Sequence, residues 1–132
     1  MILADTSGVM ALLDPRHALH EKAKRTLPDL LIPSAIFCEV DYLASVRFGS
    51  LAARRFLAGI AETKLPFINA DLQDIRLTHA LMEKYADADI GFVDASIVAL
   101  AERHKIRQVL TLDRKHLGFV QAPTLGYLEL LP

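Results

Sequence analysis

The apolar positions of this chain fall into two kinds of pattern. Short, mostly apolar stretches read as strands: Met1 to Ala4 and Arg107 to Leu112 as buried ones, with Leu30 to Ile32, Leu65 to Ile68 and, more weakly patterned, Tyr127 to Leu131 as the others. Between them lie longer segments with helical spacing. Val9 to Leu13 predicts a short helix after the capping and turn residues Thr6, Ser7 and Gly8. Asp14-Pro15 predicts a second helix through Thr26, with an acid as N-cap and proline at the first helical position. Ala35 to Arg47 carries Ile36, Val40 and Leu43 at i, i+4 and i+7. Gly49-Ser50 opens a helix through Ala61, and Asp71 caps one that runs to Tyr85. The polar break Ala86 to Asp89 precedes Ile90 to Glu102, a segment apolar or small on nearly every side and therefore expected at the centre of the fold. Lys115, His116 and Gly118 read as a loop.

Strands alternating with helices predict an α/β fold, a three-layer α/β/α sandwich with a mostly parallel central sheet and right-handed crossovers. The 132 residues favour one domain spanning 1–132, and a hydrophobic fraction of 52% supplies a full core. A net charge of -1 neither demands nor excludes nucleic acid, because an acidic pocket can mask a basic rim. Cys38 is the sole cysteine, which excludes an intrachain disulfide and a Cys-rich zinc site and fits a cytoplasmic setting. The first residues lack the basic region of a signal peptide, and no apolar run is long enough to span a membrane.

The chemistry is carried by acids. Asp94 lies in the first turns of the apolar helix, where a carboxylate needs a cation, a hydrogen-bond cluster or a raised pKa. Asp5 and Asp113 stand at the carboxyl ends of an early and a late strand. Glu39 falls on or beside the apolar stripe of its helix and is expected to face inward, whereas Asp41 points elsewhere. Sites in open α/β sheets form beyond the carboxyl ends of the strands, so these four acids can converge. Their mutual repulsion would be relieved by a hard divalent cation, Mg²⁺ or Mn²⁺, and such a site suits phosphodiester hydrolysis. Each acid also has an ordinary reading. Asp5 can cap a helix, Glu39 can reach solvent, Asp94 can favour the positive end of its helix, and Asp113 can be a turn residue. The functional reading rests on their joint placement.

Asp5-Thr6-Ser7, Ser34 to Glu39, Tyr85-Ala86-Asp87 followed by Gly91-Phe92-Val93-Asp94-Ala95, and Thr111-Leu112-Asp113-Arg114 together resemble the PIN domain, and within it the VapC-type toxins of toxin–antitoxin pairs. The resemblance runs over essentially the whole chain. It implies a Mg²⁺- or Mn²⁺-dependent endoribonuclease whose catalytic and metal-binding acids are Asp5, Glu39, Asp94 and Asp113, with Thr6 and Thr111 in support. It also implies a homodimer held by a cognate VapB-like antitoxin. Asp89 departs from the family pattern, and neither it nor Asp87 is taken as a primary ligand.

Candidate contacts to RNA phosphates are Arg16, Lys22, Lys24, Arg25, Arg47, Arg54, Arg55, Arg114 and Lys115, with Arg114 foremost because it adjoins Asp113. His17 and His20 are expected to face solvent, and His79, His104 and His116 are isolated in sequence, with His116 placed in a loop that can approach RNA. A phosphoacceptor signalling module, with Asp71 as acceptor, is the competing reading from another class. A catalytically inert domain that binds RNA or a partner is the third.

Overall fold

A computed structural model describes residues 1–132. Five strands form one all-parallel sheet: β1 (Ile2–Ala4), β2 (Leu30–Pro33), β3 (Phe67–Ile68), β4 (Gln108–Leu110) and β5 (Glu129–Leu131). Their spatial order is β3-β2-β1-β4-β5. Seven helices flank the sheet: α1 (Thr6–Leu13), α2 (His20–Lys24), α3 (Phe37–Phe48), α4 (Ser50–Ala61), α5 (Leu72–Lys84), α6 (Phe92–His104) and α7 (Arg114–Leu117). The result is the expected three-layer sandwich. The sheet is wholly rather than mostly parallel, because each strand is joined to the next in sequence by a crossover and never by a tight hairpin. No helix is long and apolar enough to cross a membrane.

Burial follows the sequence pattern. Every residue of β1 and β2 is buried, as strands covered by helices on both faces require. In α6 every residue from Ala95 to Glu102 is buried, which makes it the core helix. It packs on α5, while α3 and α4 pack on each other. Gly8 lets α1 lie close to the sheet: a Cβ there would meet the Leu110 carbonyl oxygen at 2.4 Å.

Three local expectations are corrected. The helix expected from Asp14 to Thr26 is reduced to α2. Asp14 Oδ1 accepts from the Arg16 amide at 3.0 Å and His17 Nδ1 from the Leu19 amide at 3.0 Å, so side chains claim backbone donors that a helix would use. The first helix starts at Thr6, not Val9, because Asp5 caps it through the Thr6 amide. The expected loop at Lys115 to Gly118 is largely the single turn of α7, capped when Asp113 Oδ1 accepts from the His116 amide at 3.1 Å.

Candidate active site

The sheet places its chemistry at a topological switch point. From β1 the chain winds outward through β2 and β3, then crosses to β4 and β5 on the other side. The crevice beyond the carboxyl ends of β1 and β4 is where such folds form sites. Ala4 pairs with Leu110 in register, and the Asp5 amide donates to the Leu110 carbonyl at 2.9 Å. Asp5, directly after β1, is thereby set beside Thr111, directly after β4, and near Asp113, three residues past the end of that strand.

Asp5 is only 5% exposed. Its Oδ1 accepts from the Thr6 amide at 2.8 Å, and its Oδ2 from the hydroxyls of Thr111 at 2.7 Å and Ser7 at 3.2 Å. Thr111 Oγ1 also accepts from the Asp113 amide at 2.9 Å, so one hydroxyl ties two of the acids together. Ser7 Oγ accepts from the Leu112 amide at 2.8 Å, fastening the loop after β4 to the start of α1. Glu39 comes from the first turn of α3. It is exposed at the rim rather than turned into the core, and its Oε1 accepts from the Thr6 hydroxyl at 2.5 Å. Asp94 enters from the first turn of α6.

These groups line a cleft of about 700 Å³ that contains Asp5, Thr6, Ser7, Glu39, Asp94 and Asp113, with His17, Arg47 and His116 among its other walls. The electrostatics show acids without enough cations. Burial pushes the Asp5 carboxyl up, against the opposing hydrogen bonds from Thr111, Thr6 and Ser7, and the charge of Asp113 adds to the rise. Burial, then Asp5 and Asp113, raise Asp94 to about 6; Glu39 adds to this and His116 opposes it. Burial also works against Asp113, but the amide and imidazole of His116 outweigh it and hold this carboxyl below its usual range. The donors are mostly carboxylate oxygens, the set that hard divalent cations take, and two of them are destabilised until a positive charge arrives. Mg²⁺ or Mn²⁺ therefore fits the residues present.

Not every expected residue is here. Arg114 turns away: its Nη2 donates to the carbonyls of Pro132 at 3.1 Å and Leu130 at 3.5 Å, fastening the C-terminal strand. Asp87 and Asp89 are exposed and do not line the cleft. The sequence reading missed Ser7 as a support and His17 as a wall of the cleft, and it saw His116 as able to approach RNA but not as a partner of Asp113. The Asp113/His116 spacing of i, i+3 was visible, but its meaning depended on a helical turn where a loop was expected. Asp71, the acceptor required by the signalling alternative, is committed elsewhere. It forms a reciprocal cap with Asp74 at the start of α5 and is bonded by Arg103.

The chain is 31% identical to Ribonuclease VapC26 of Mycobacterium tuberculosis, over 99% of this chain and 100% of that protein. Its fold is similar to the crystal structure of Mycobacterium tuberculosis VapC20, a sarcin-ricin loop cleaving toxin, with a TM-score of 0.81 at 20% identity and full coverage of both chains. It is also similar to the DNA-bound VapBC of Salmonella typhimurium, with a TM-score of 0.70 at 15% identity, covering 98% of this chain and 97% of that one. Residues 2–121 match the PIN domain family model, a span that holds all four clustered acids, and the chain belongs to the PIN domain family.

Proposed function

We propose that the cleft is the catalytic centre of a Mg²⁺- or Mn²⁺-dependent endoribonuclease in which Asp5, Glu39, Asp94 and Asp113 are the working acids. The protein is a PIN-domain ribonuclease of the VapC type, the toxin of a toxin–antitoxin pair, with a VapB-like antitoxin as its partner. The observation that carries the catalytic assignment is the meeting of Asp5, Asp94 and Asp113 from three distant segments in one cleft, with Glu39 at its rim.

Asp5, Asp94 and Glu39 would hold the principal cation, and Asp113 would complete a second site or orient the attacking water. A divalent cation, when bound, stabilises charge on the phosphoryl oxygens and makes water a better nucleophile. The chain's own residues fix the reaction geometry. Thr111 and Ser7 lock the Asp5 carboxylate, and Thr6 holds Glu39 across the cleft. With water as nucleophile, the products carry 5′-phosphate and 3′-hydroxyl ends.

The RNA path follows from the cleft's neighbour. Asp14, Arg47 and Phe48 line both the acidic cleft and an adjoining shelf of about 640 Å³ that also carries Arg16 and Arg55. Of the nine basic candidates, Arg47 is the one that lines the acidic cleft. Phe48, 40% exposed, offers a single stacking face beside it. A groove between α3 and α4, lined by Phe37, Cys38, Asp41, Ala53, Phe56 and Leu57, offers a largely apolar seat for the antitoxin. Tyr42 and Val46, exposed one helical turn apart on α3, offer apolar surface to a second copy.

The test is cleavage of a mixed RNA pool by the purified protein with Mg²⁺ or Mn²⁺, with chelator, and after Asp94→Asn, followed by mapping of the ends. Cuts that need the ion and Asp94 and leave 5′-phosphates support the assignment. Cuts that survive chelation or the substitution contradict it.

A further inference from the structure

We propose that His116 supplies a nitrogen ligand to a cation held with Asp94 and Asp113, so that the cleft has a mixed nitrogen and oxygen donor set and prefers Mn²⁺ to Mg²⁺. The inference rests on the cleft being a divalent-cation site and adds a residue that sequence reading left isolated.

Three observations support it. First, one donor atom each from Asp94, Asp113 and His116 lies within 4.8 Å of the others, a spacing that a single ion can span. Second, His116 Nδ1 lies 2.9 Å from Asp113 Oδ2. Donor atoms at adjacent octahedral positions, each about 2.1 Å from an ion, are about 3 Å apart, so the pair is already spaced as neighbouring ligands. Third, the local fold produces this spacing. Asp113 caps α7 and His116 follows at i, i+3, so one helical turn brings carboxylate and imidazole to the same side. A carboxylate and a histidine at i, i+3 form a recurrent metal-binding unit on helices. The ring is accessible as well, because the side chain is 41% exposed and lines the cleft.

The donor set decides the metal. Carboxylates and water suit Mg²⁺ and Mn²⁺, whereas an imidazole raises affinity for first-row transition ions and does little for Mg²⁺. Removing His116 should therefore lower the affinity for Mn²⁺ about tenfold or more and leave that for Mg²⁺ nearly unchanged. A histidine that only orients Asp113 would weaken both ions alike.

The experiment is pulsed electron paramagnetic resonance of the purified chain with substoichiometric Mn²⁺, reading nitrogen-14 modulation, alongside Mn²⁺ and Mg²⁺ binding isotherms. The expected result is a directly bound nitrogen in the wild type that is lost in His116→Ala. It should persist in His17→Gln, which removes the other imidazole of the cleft. Mn²⁺ that binds and is released by Asp94→Asn, yet shows no nitrogen coupling, overturns the role of His116 and leaves the acidic site standing. Coupling that persists in a folded His116→Ala variant overturns it too. If the wild type binds no Mn²⁺ in the cleft, the catalytic assignment falls together with the inference. The wild-type spectrum tests for the nitrogen ligand by itself should the alanine variant fail to fold.

Discussion

Helix α6 carries two acids with opposite fates. Asp94 is in its first turn, where the helix dipole favours negative charge, yet its carboxyl is raised to about 6. Glu102 is in its last turns, where the dipole disfavours negative charge, yet its carboxyl is lowered to about 2. Burial works against the charge of both. The difference lies in the partners. Glu102 Oε2 accepts from the Thr124 hydroxyl at 2.6 Å and from Lys105 Nζ at 3.3 Å, while Oε1 takes the amides of Thr124 and Leu125. Asp94 faces Asp5, Asp113 and Glu39, and His116 opposes their effect. Glu102 is thus a finished structural fastener for the loop before β5, and Asp94 belongs to a site that is completed by a cation. Asp74, whose Oδ1 accepts from Arg103 at 2.8 Å, repeats the fastened case between α5 and α6.

The largest effect should separate the two acids by activity. Asp94→Asn, or Asp5→Asn, should reduce RNA cleavage at least about 100-fold, whereas Glu102→Gln in folded protein should cleave at nearly the wild-type rate. Rates on a defined RNA at saturating Mg²⁺ check this; a slow Glu102→Gln enzyme or an active Asp94→Asn enzyme breaks the contrast.

Stability should show the reverse order. Glu102→Gln should destabilise by about 1.5–3 kcal/mol at neutral pH in urea melts, because a charged acceptor for two amides and a hydroxyl is lost. A folded-state pKa of about 2, below the ordinary glutamate value of 4.5, means the stabilising contribution is complete above about 4.5 and fades as pH falls toward 2. The gap between wild type and variant should close over that window.

For Asp94 the sign is opposite. Its carboxyl is raised from 3.8 to about 6, so ionisation costs the cation-free fold little at pH 4 and the full amount above pH 6. Asp94→Asn should therefore stabilise the protein in chelator at pH 7.5, by about 1–2 kcal/mol after allowing for partial solvent screening, and have little effect at pH 4. Paired urea melts at the two pH values test it.

The smallest effect concerns the rim. Arg47→Glu should weaken RNA binding and flatten its salt dependence by about one unit of log–log slope, whereas Arg54→Glu, on a side chain bonded to Ser50 outside the cleft, should change either little. Binding isotherms at graded salt distinguish them.

The fate of each acid was only half legible in the sequence. The positions of Asp5 and Asp113 followed from strand ends, and that of Asp94 from the apolar helix around it, because these depend on local pattern and on the rule for open sheets. Glu39 was placed in the right helix but too far inward; its contact with the Thr6 hydroxyl is a tertiary fact. The ordinary reading of Asp5 as an N-cap proved compatible with the functional one, since its two oxygens divide the work. Arg114 misled because adjacency in sequence says nothing about which way a long side chain leaves a one-turn helix, and here it leaves toward Pro132. Glu102 drew no notice, because its partners Thr124 and Leu125 are remote in sequence and lie in a loop without a pattern. Strand positions were clear for β1, β2 and β4, whose apolar runs are buried on both faces, and least sharp for β3, where only Phe67 and Ile68 pair.

The most direct test is the thermal shift produced by Mn²⁺ in three proteins at pH 7.5: wild type, Glu102→Gln and Asp94→Asn. A cation that completes the cleft should raise the unfolding temperature of the first two by the same amount and leave the third unmoved. An equal rise in Asp94→Asn, or no rise in the wild type, would contradict the claim that these clustered acids are completed by a metal ion.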